Sequence, residues 1–451
     1  MPTVTVPGAN GTIISVPFAT QANANIALAL LESAYAAAAT STLDVAYASA
    51  GTPTAIPGDV NEFVVDNSSS VAVPAGFQYT IDDSTGVATV NGGSITNEAV
   101  VAGQNGLTFV AGTGSGTIVA GGGDNVLVAP NTGGGNYSAF LDGSGYNQSF
   151  LGSGNWQLST GPGSGLFFLG SGQDTVNAQG ADTVVSGTGA VTINATGSFG
   201  VYFGYINTSV LIDSGTGNIA VAGLGAETIF ASGSSGTYFG EGGVLTLVNG
   251  ASGSIVVNGS SPALIYGGAS TANSGIYFVG SGSPFFFVNQ AGNSSIVSGS
   301  SSHPADIFGG GSGNVTFFGP SNNNLFVAAD GNETLNASPA TGNNVLFGGT
   351  GNDTLGGGTG NDILFAGTGN ATMSGGAGAN LFAFAENAAG GSDLITDFTG
   401  TDQLYLVGYG GNGIRSETVQ NGSLLVTLTD NTRITFTGLT SPLNASQVVN
   451  T

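Results

Sequence analysis

Short apolar runs of three to five residues alternate with Gly-Ser-Gly, Gly-Thr-Gly and Asn-Gly turns from about Val100 to Phe308. TIVAGGGDNVLVA, GLFFLGSGQDTV, GNIAVAGLGAETIFA and GSIVVNGSS are examples, and the runs recur every nine to ten residues. Many short strands at regular spacing predict an all-β architecture. Repetition at so short a period predicts a solenoid rather than a sandwich, because one unit is too small to bury its apolar face alone. From Gly310 the period settles at nine, with units starting at Gly310, Gly319 and Ala328 and, after two inserted residues, at Pro339, Gly348, Gly357, Ala366 and Gly375. Their eighth positions are Phe317, Phe326, Leu335, Leu346, Leu355, Leu364, Met373 and Phe382. All are apolar, and burying each is worth roughly 1.5–3 kcal/mol.

The N-terminal part reads differently. Residues 1–18 alternate weakly and predict a short extended segment. Gln21 to Ala39 is the one convincing helix, by the propensities of its Leu, Ile and Ala residues, with Thr20 or Asn23 as its cap. It is expected to pack or cap, with anchoring or assembly as the alternative. A second short helical piece is expected over Leu43 to Ala48. Pro53 and Pro57 mark a linker. Short β runs then begin near Asn61, and residues 60–100 read as the entry to the solenoid.

Composition narrows the function. The chain of 451 residues has 81 glycines, no cysteine, two basic residues (Arg415 and Arg433) and a net charge of -24. So few cations argue against nucleic acid as a partner and against anionic membrane surfaces. Charged residues make up 6% and hydrophobic residues 40%, which predicts an ordered chain with an uncharged surface rather than disorder. No disulfide can offset the entropy of so many glycines. The start, MPTVTVPGANG, lacks a basic n-region and an immediate apolar h-region, so a cleaved signal peptide is not expected. No apolar run reaches membrane-spanning length, so membrane insertion is not expected either. One histidine, His303, with no HExxH and no nucleophile elbow, supports neither zinc chemistry nor a Ser-His-Asp triad. The expectation is a protein that is not an enzyme.

The sixth position of the nine-residue units runs Val315, Asn324, Glu333, Asn344, Asp353, Asp362, Ala371, Asn380. Asp offers calcium a hard oxygen ligand. Around Asp353 and Asp362 the text is GGTGNDTLG followed by GGTGNDIL, Gly348 to Leu364. This stretch resembles the RTX (repeats-in-toxin) family. The resemblance implies a right-handed parallel β-helix with two units per coil, and Ca2+ held between neighbouring turns. Asp353 would stack on Glu333 and Asp362 on Asn344. The turns containing Gly348, Thr350, Gly357 and Thr359 would supply backbone carbonyls, for a total of about two to four ions. Asp124, Asp174 and Asp182 stand in motif-like settings within the more degenerate part, where Asx turns without metal are the alternative.

Residues 384–451 change character. GGSDLITDFTGTDQLYL resembles the segment after the repeats in RTX exoproteins, and Asp393 and Asp402 are candidates for one further calcium. LLVTLTDNTRITFTGL predicts a hairpin turning at Asp430-Asn431. The expected organisation is thus 1–58, an N-terminal helical or assembly region; 59–309, a degenerate Gly-rich solenoid; 310–383, calcium-binding repeats; and 384–451, a β cap carrying a type I secretion signal. The resemblance extends to RTX-bearing bacterial surface-layer proteins. It implies export to the cell surface or beyond and calcium-dependent self-assembly into a surface layer, filament or biofilm matrix. Cell-surface polysaccharide is a possible further partner. The alternative is a calcium-stabilised adhesin or carbohydrate-binding protein using Tyr202, Phe203 and Tyr205 or Phe285, Phe286 and Phe287.

Overall fold

The computed structural model describes residues 1–39, 41–66, 70–142, 145–233, 235–240, 242–259, 262–267, 274–280, 285–299, 304–320 and 323–451. His303 lies outside the described residues. The chain forms two compact units, Met1–Glu227 and Thr228–Thr451.

In the first unit, two antiparallel strands come first, β1 (Thr3–Pro7) and β2 (Ile13–Pro17). The predicted helix follows as α1, Gln21–Ala38. Thr20 is its cap: the hydroxyl accepts from the Asn23 N–H at 3.2 Å. Ala24, Ala27, Leu31 and Ala34 are its buried face, at the three- and four-residue steps of one helical side.

The next segment corrects the sequence reading. Leu43–Tyr47 is a strand, not a helix, and pairs in parallel with Val60–Val65, Leu43 opposite Val60 and Tyr47 opposite Val64. Alternating Leu43, Val45 and Tyr47 suit a pleated surface, and pairing with the next strand outweighs the helical preference of the alanines. Pro53 and Pro57 therefore sit in the connection between two rungs of one sheet, and parallel pairing starts inside the segment expected to be the N-terminal region.

From there the unit is a parallel β-solenoid. One sheet runs by parallel pairs from Leu43–Tyr47 to Ser209–Asp213. A second runs from Ser70–Ala72 to Ile219–Val221. From Val60–Val65 on, consecutive strands alternate between the two sheets. Inward residues fill the space between them: Phe109 meets Tyr137 edge-on at 5.3 Å, and Tyr137 stacks on Trp156 at 5.0 Å. Glycine is required where turns stack. A Cβ on Gly135 would lie 1.2 Å from the Gly114 carbonyl oxygen.

The second unit repeats the plan with tighter regularity. Phe317, Leu335, Leu355 and Met373 face one another in register on one sheet, and Phe326, Leu346, Leu364 and Phe382 on the other. All eight are buried. Pairing crosses residue 309 unbroken, from Phe286 opposite Asp306 to Asp306 opposite Leu325.

The C-terminal hairpin is Ser423–Leu428 against Arg433–Thr437, with Leu424 opposite Phe436, Val426 opposite Ile434, and Asn431 in the left-handed region at φ 78°. A further antiparallel strand, Ile414–Gln420, joins it. Arg433–Thr437 adds in parallel to Ser392–Ile395, and Val448–Asn450 to Gln403–Val407. Each sheet of this unit thereby ends on a cap strand, which covers edges that would otherwise invite pairing.

Two carboxylates of the solenoid hold α1: Glu62 Oε2 accepts from the Tyr35 hydroxyl at 3.2 Å, and Asp142 holds the first turn. Asp142 Oδ2 accepts from the Ala19 N–H at 2.7 Å and the Thr20 N–H at 2.9 Å. Replacing Asp142 by Ala leaves two donors without their acceptor, at a cost of about 1–3 kcal/mol. The expected result is a lower melting temperature and faster hydrogen exchange in the first turn of α1; unchanged exchange there would show that the anchor is idle.

Candidate functional site

The nine-residue register fixes where each candidate ligand falls. Residues eighteen to twenty-two apart stand side by side on one sheet, so sixth positions form ladders. On one sheet the Glu333 N–H donates to Asp353 Oδ1 at 2.9 Å, and the Ala371 N–H to Asp393 Oδ1 at 2.8 Å. On the other, the Asn324 N–H donates to Asn344 Oδ1 at 3.0 Å, Asn344 N–H to Asp362 Oδ1 at 2.6 Å, Asp362 N–H to Asn380 Oδ1 at 2.9 Å and Asn380 N–H to Asp402 Oδ1 at 2.9 Å. Each side chain thus satisfies a backbone donor of the preceding coil. All these residues are buried.

The turns stand close by. Asp353 Oδ2 accepts from the Gly349 N–H at 2.7 Å. A Cβ on Gly357 would lie 2.6 Å from Asp362 Oδ2 and 2.7 Å from the Gly375 carbonyl oxygen, so only glycine leaves that space open. The Gly348 N–H donates to the Phe365 carbonyl at 2.7 Å. Thr350 and Thr359 hydroxyls bond to Asp330 at 3.1 Å and the Ala340 carbonyl at 3.2 Å.

Asp393 and Asp402 are not brought to one site. They are one nine-residue step apart, so they fall on alternate sheets and continue separate ladders. Asp402 is well supplied: Oδ2 accepts from both the N–H and the hydroxyl of Thr399, at 2.7 and 2.8 Å. Asp393 Oδ2 has no hydrogen-bond partner. Asp397, the third acid of this segment that the sequence offers as a calcium ligand beside the favoured Asp393 and Asp402, accepts from Ser374 Oγ and from the Gly375 and Gly376 N–H groups at 2.6–3.0 Å.

The residues fit a divalent cation. Asp362 Oδ2 is buried beside two glycine turns with no donor. Burial pushes the Asp362 carboxyl up to about 6 and that of Asp393 to about 7. Burial, then the neighbouring Asp353 carboxyl, raises Glu333. Arg415 does not compensate, since it bonds to the Thr429 carbonyl at 2.9 Å and to Asn431. Asp362 and Asp353, with glycine-turn carbonyls, are the residues that would hold Ca2+, which supplies charge neutralisation for buried oxygens.

Asparagine solves the same problem without a cation. Asn344 Nδ2 donates to the Gly342 and Gly357 carbonyls at 3.1 and 2.9 Å and to Asp362 Oδ1 at 2.9 Å. Asn125 Nδ2 does likewise with Gly121 and Gly123, at 3.1 and 3.3 Å, and Asn289 Nδ2 with Gly292 and Gly313, at 2.8 and 3.4 Å. Asn125, rather than the motif-like Asp124, occupies the buried position; Asp124 is exposed and accepts from the Tyr146 N–H. Asp174 and Asp182 are buried, and both bond to the protein. Asp174 accepts from the Trp156 N–H at 3.0 Å, and Asp182 from the Thr160 hydroxyl at 2.6 Å. The sequence reading missed Asp142, Asp213 and Glu227, all buried. Their signal is an acidic residue at a strand end beside a glycine-rich turn, outside the regular nine-residue register.

The aromatic candidates divide by the period of the strand. Tyr202, Phe285 and Phe287 are buried in the core, whereas Phe203, Tyr205 and Phe286 are exposed. Neighbouring side chains on a strand point to opposite faces, so neither triplet forms a single surface platform.

Residues 340–373 and 356–383 match the family described as RTX calcium-binding nonapeptide repeat (4 copies). No curated protein matches the chain. Among solved structures, the extracellular lipase LipA from Serratia marcescens is similar at 17% identity, with a TM-score of 0.22. The likeness covers 46% of this chain and 45% of that lipase, less than half its length.

Two predictions test the site. Asp353→Ala with Asp362→Ala is expected to lower the calcium stoichiometry measured by calorimetry and to reduce the calcium-induced rise in melting temperature; native stoichiometry would overturn the register. The second concerns the calcium-free chain. Burial raises Asp182 to about 6 and Glu62 and Glu227 to about 7. A carboxyl raised by folding contributes stability that is complete below its unfolded value and is lost as pH rises through the folded value. The folding stability of the calcium-free chain should therefore fall from pH 5 to pH 8, by on the order of 1–3 kcal/mol per group, and its melting temperature should fall with it. A rise over that range would contradict the assignment.

Proposed function

We propose, on the premise that residues 340–383 are RTX calcium-binding nonapeptide repeats with Ca2+ as their cofactor, that this chain is an exported, non-enzymatic structural protein. It assembles with copies of itself, in a calcium-dependent way, into a surface layer, filament or matrix outside the cell. The observation that carries this reading is the repetition itself: inward ladders hold each coil, and outward strand positions present the same uncharged texture coil after coil. A surface that repeats along its length suits open, polymeric contacts.

Type I export fits the same reading. Where calcium is scarce, buried acids such as Asp362 and Asp393 lack a neutralising partner. Where calcium is abundant, binding adds directly to folding free energy. No helix among the described residues is long and apolar enough to cross a membrane. An adhesin remains the second reading, supported by exposed Phe203 and Tyr205.

Electron microscopy and light scattering of the purified chain decide between them. Regular sheets or fibres are expected in millimolar calcium, dissolving in chelator. Monomers under both conditions, with binding on a glycan array, would overturn assembly in favour of the adhesin.

A further inference from the structure

The outward side of the second sheet in the first unit carries a continuous apolar ladder. Val128, Phe150, Phe168, Val185, Phe203 and Val221 stand in register on successive strands. Phe150 and Phe168 stack at 5.6 Å with rings 16° apart, and they are 43% and 38% exposed. The second unit carries its own version, Phe239, Val257, Phe278, Val297 and Phe318, again in register. The strands that bear these ladders contain no charged residue, in a chain of net charge -24.

The same molecule shows what such a ladder does when it has a partner. On the first sheet, Val64, Ile81, Val101 and Val119 occupy successive rungs in register. They are fully buried, packed with Val4, Val6, Ile14, Val16 and Leu31 of β1, β2 and α1. An outward apolar ladder is therefore a docking surface in this fold, and on the first sheet the chain covers part of it itself.

We infer that the Phe/Val ladders of the second sheet are the lateral interface that receives a second copy of this chain; the inference rests on the self-assembly reading above. Three features select a second copy. Rungs are about 4.8 Å apart, and a partner meets every rung at once only if it repeats at that spacing, as another solenoid of this kind does. The ladder is free of charge, so two strongly acidic chains approach where repulsion is least. Its size also fits an array. Each strip is only one side chain wide, too narrow for the roughly 800 Å² per partner of a stable complex, so contacts hold by repetition along a lattice rather than as an isolated dimer. Calcium reduces the net negative charge of both partners, which ties lateral contact to the same ion that orders the repeats.

The test uses the full chain in millimolar calcium. Phe150→Ser, Phe168→Ser and Phe203→Ser are combined, with circular dichroism and calcium stoichiometry reporting the fold. The critical concentration for assembly is expected to rise at least ~10-fold. Because the chain has no cysteine, Phe168→Cys and, on the first sheet, Gln157→Cys give single sites for a short bis-maleimide. Cross-linking between copies is expected at residue 168 and not at 157. Unchanged assembly by the folded triple variant, or equal cross-linking at both positions, overturns the interface and leaves self-assembly standing. Failure of the native chain to assemble at any calcium concentration overturns both. If the triple variant does not fold, the cross-linking pair decides alone.

Discussion

The spacing between stacked coils, set by backbone hydrogen bonds at about 4.8 Å, governs this molecule. At that distance every side chain sits against its counterpart one coil away. Like stacks on like, as with Leu355 on Met373 and Leu346 on Leu364. Turns approach so closely that side chains are excluded, which is why a Cβ on Gly351 would lie 1.6 Å from the Gly331 carbonyl oxygen. The glycines that weaken an ordinary strand are here the condition for stacking.

The same spacing creates a polar problem inside the turns. Each turn brings carbonyl oxygens inward, and burying them without donors is costly. The chain has two answers. Where Asn stands at the ladder position, its amide nitrogen donates to the glycine carbonyls, as Asn125 and Asn289 do. Where Asp or Glu stands there, the carboxylate adds negative charge to the carbonyls, and a cation or a proton must neutralise it. Asn344 and Asp362 show both answers on adjacent coils: the amide bonds to the carboxylate, leaving Oδ2 of Asp362 unpaired. Acid in place of amide thus marks the coils that would call for a cation or a proton.

How much of this was legible follows from which constraints are periodic. The eight inward positions from Phe317 to Phe382 were readable because nine-residue units repeat there with a single two-residue insertion, and the C-terminal hairpin because Leu424, Val426, Ile434 and Phe436 alternate. Asp124 was misleading because the degenerate coils vary in length, and a shift of one residue moves a side chain from the interior to the surface. Leu43–Tyr47 was read as helix because local alanines favour it, while its strand partner lies seventeen residues on. Ile414–Gln420 left little signal: it is mostly exposed, and its partners alone make it a strand. Tyr202 and Phe203 show the limit most clearly, since composition marks both as candidates and only the strand phase separates core from surface.

That phase also connects stability to function. Filling the interior needs one apolar residue at every second position, and solubility would ordinarily place polar residues at the rest. Along the second sheet the outward positions depart from this rule, with Phe168 and Phe203 flanking Val185. Core packing does not require them there, because Phe167, Val184 and Tyr202 already fill the inside. An outward apolar side chain that serves neither the core nor solubility has its physical reason in whatever covers it, and on the second sheet we have proposed a second copy of the chain for that part. On the first sheet that reason is visible, since β1, β2 and α1 seal the corresponding rungs.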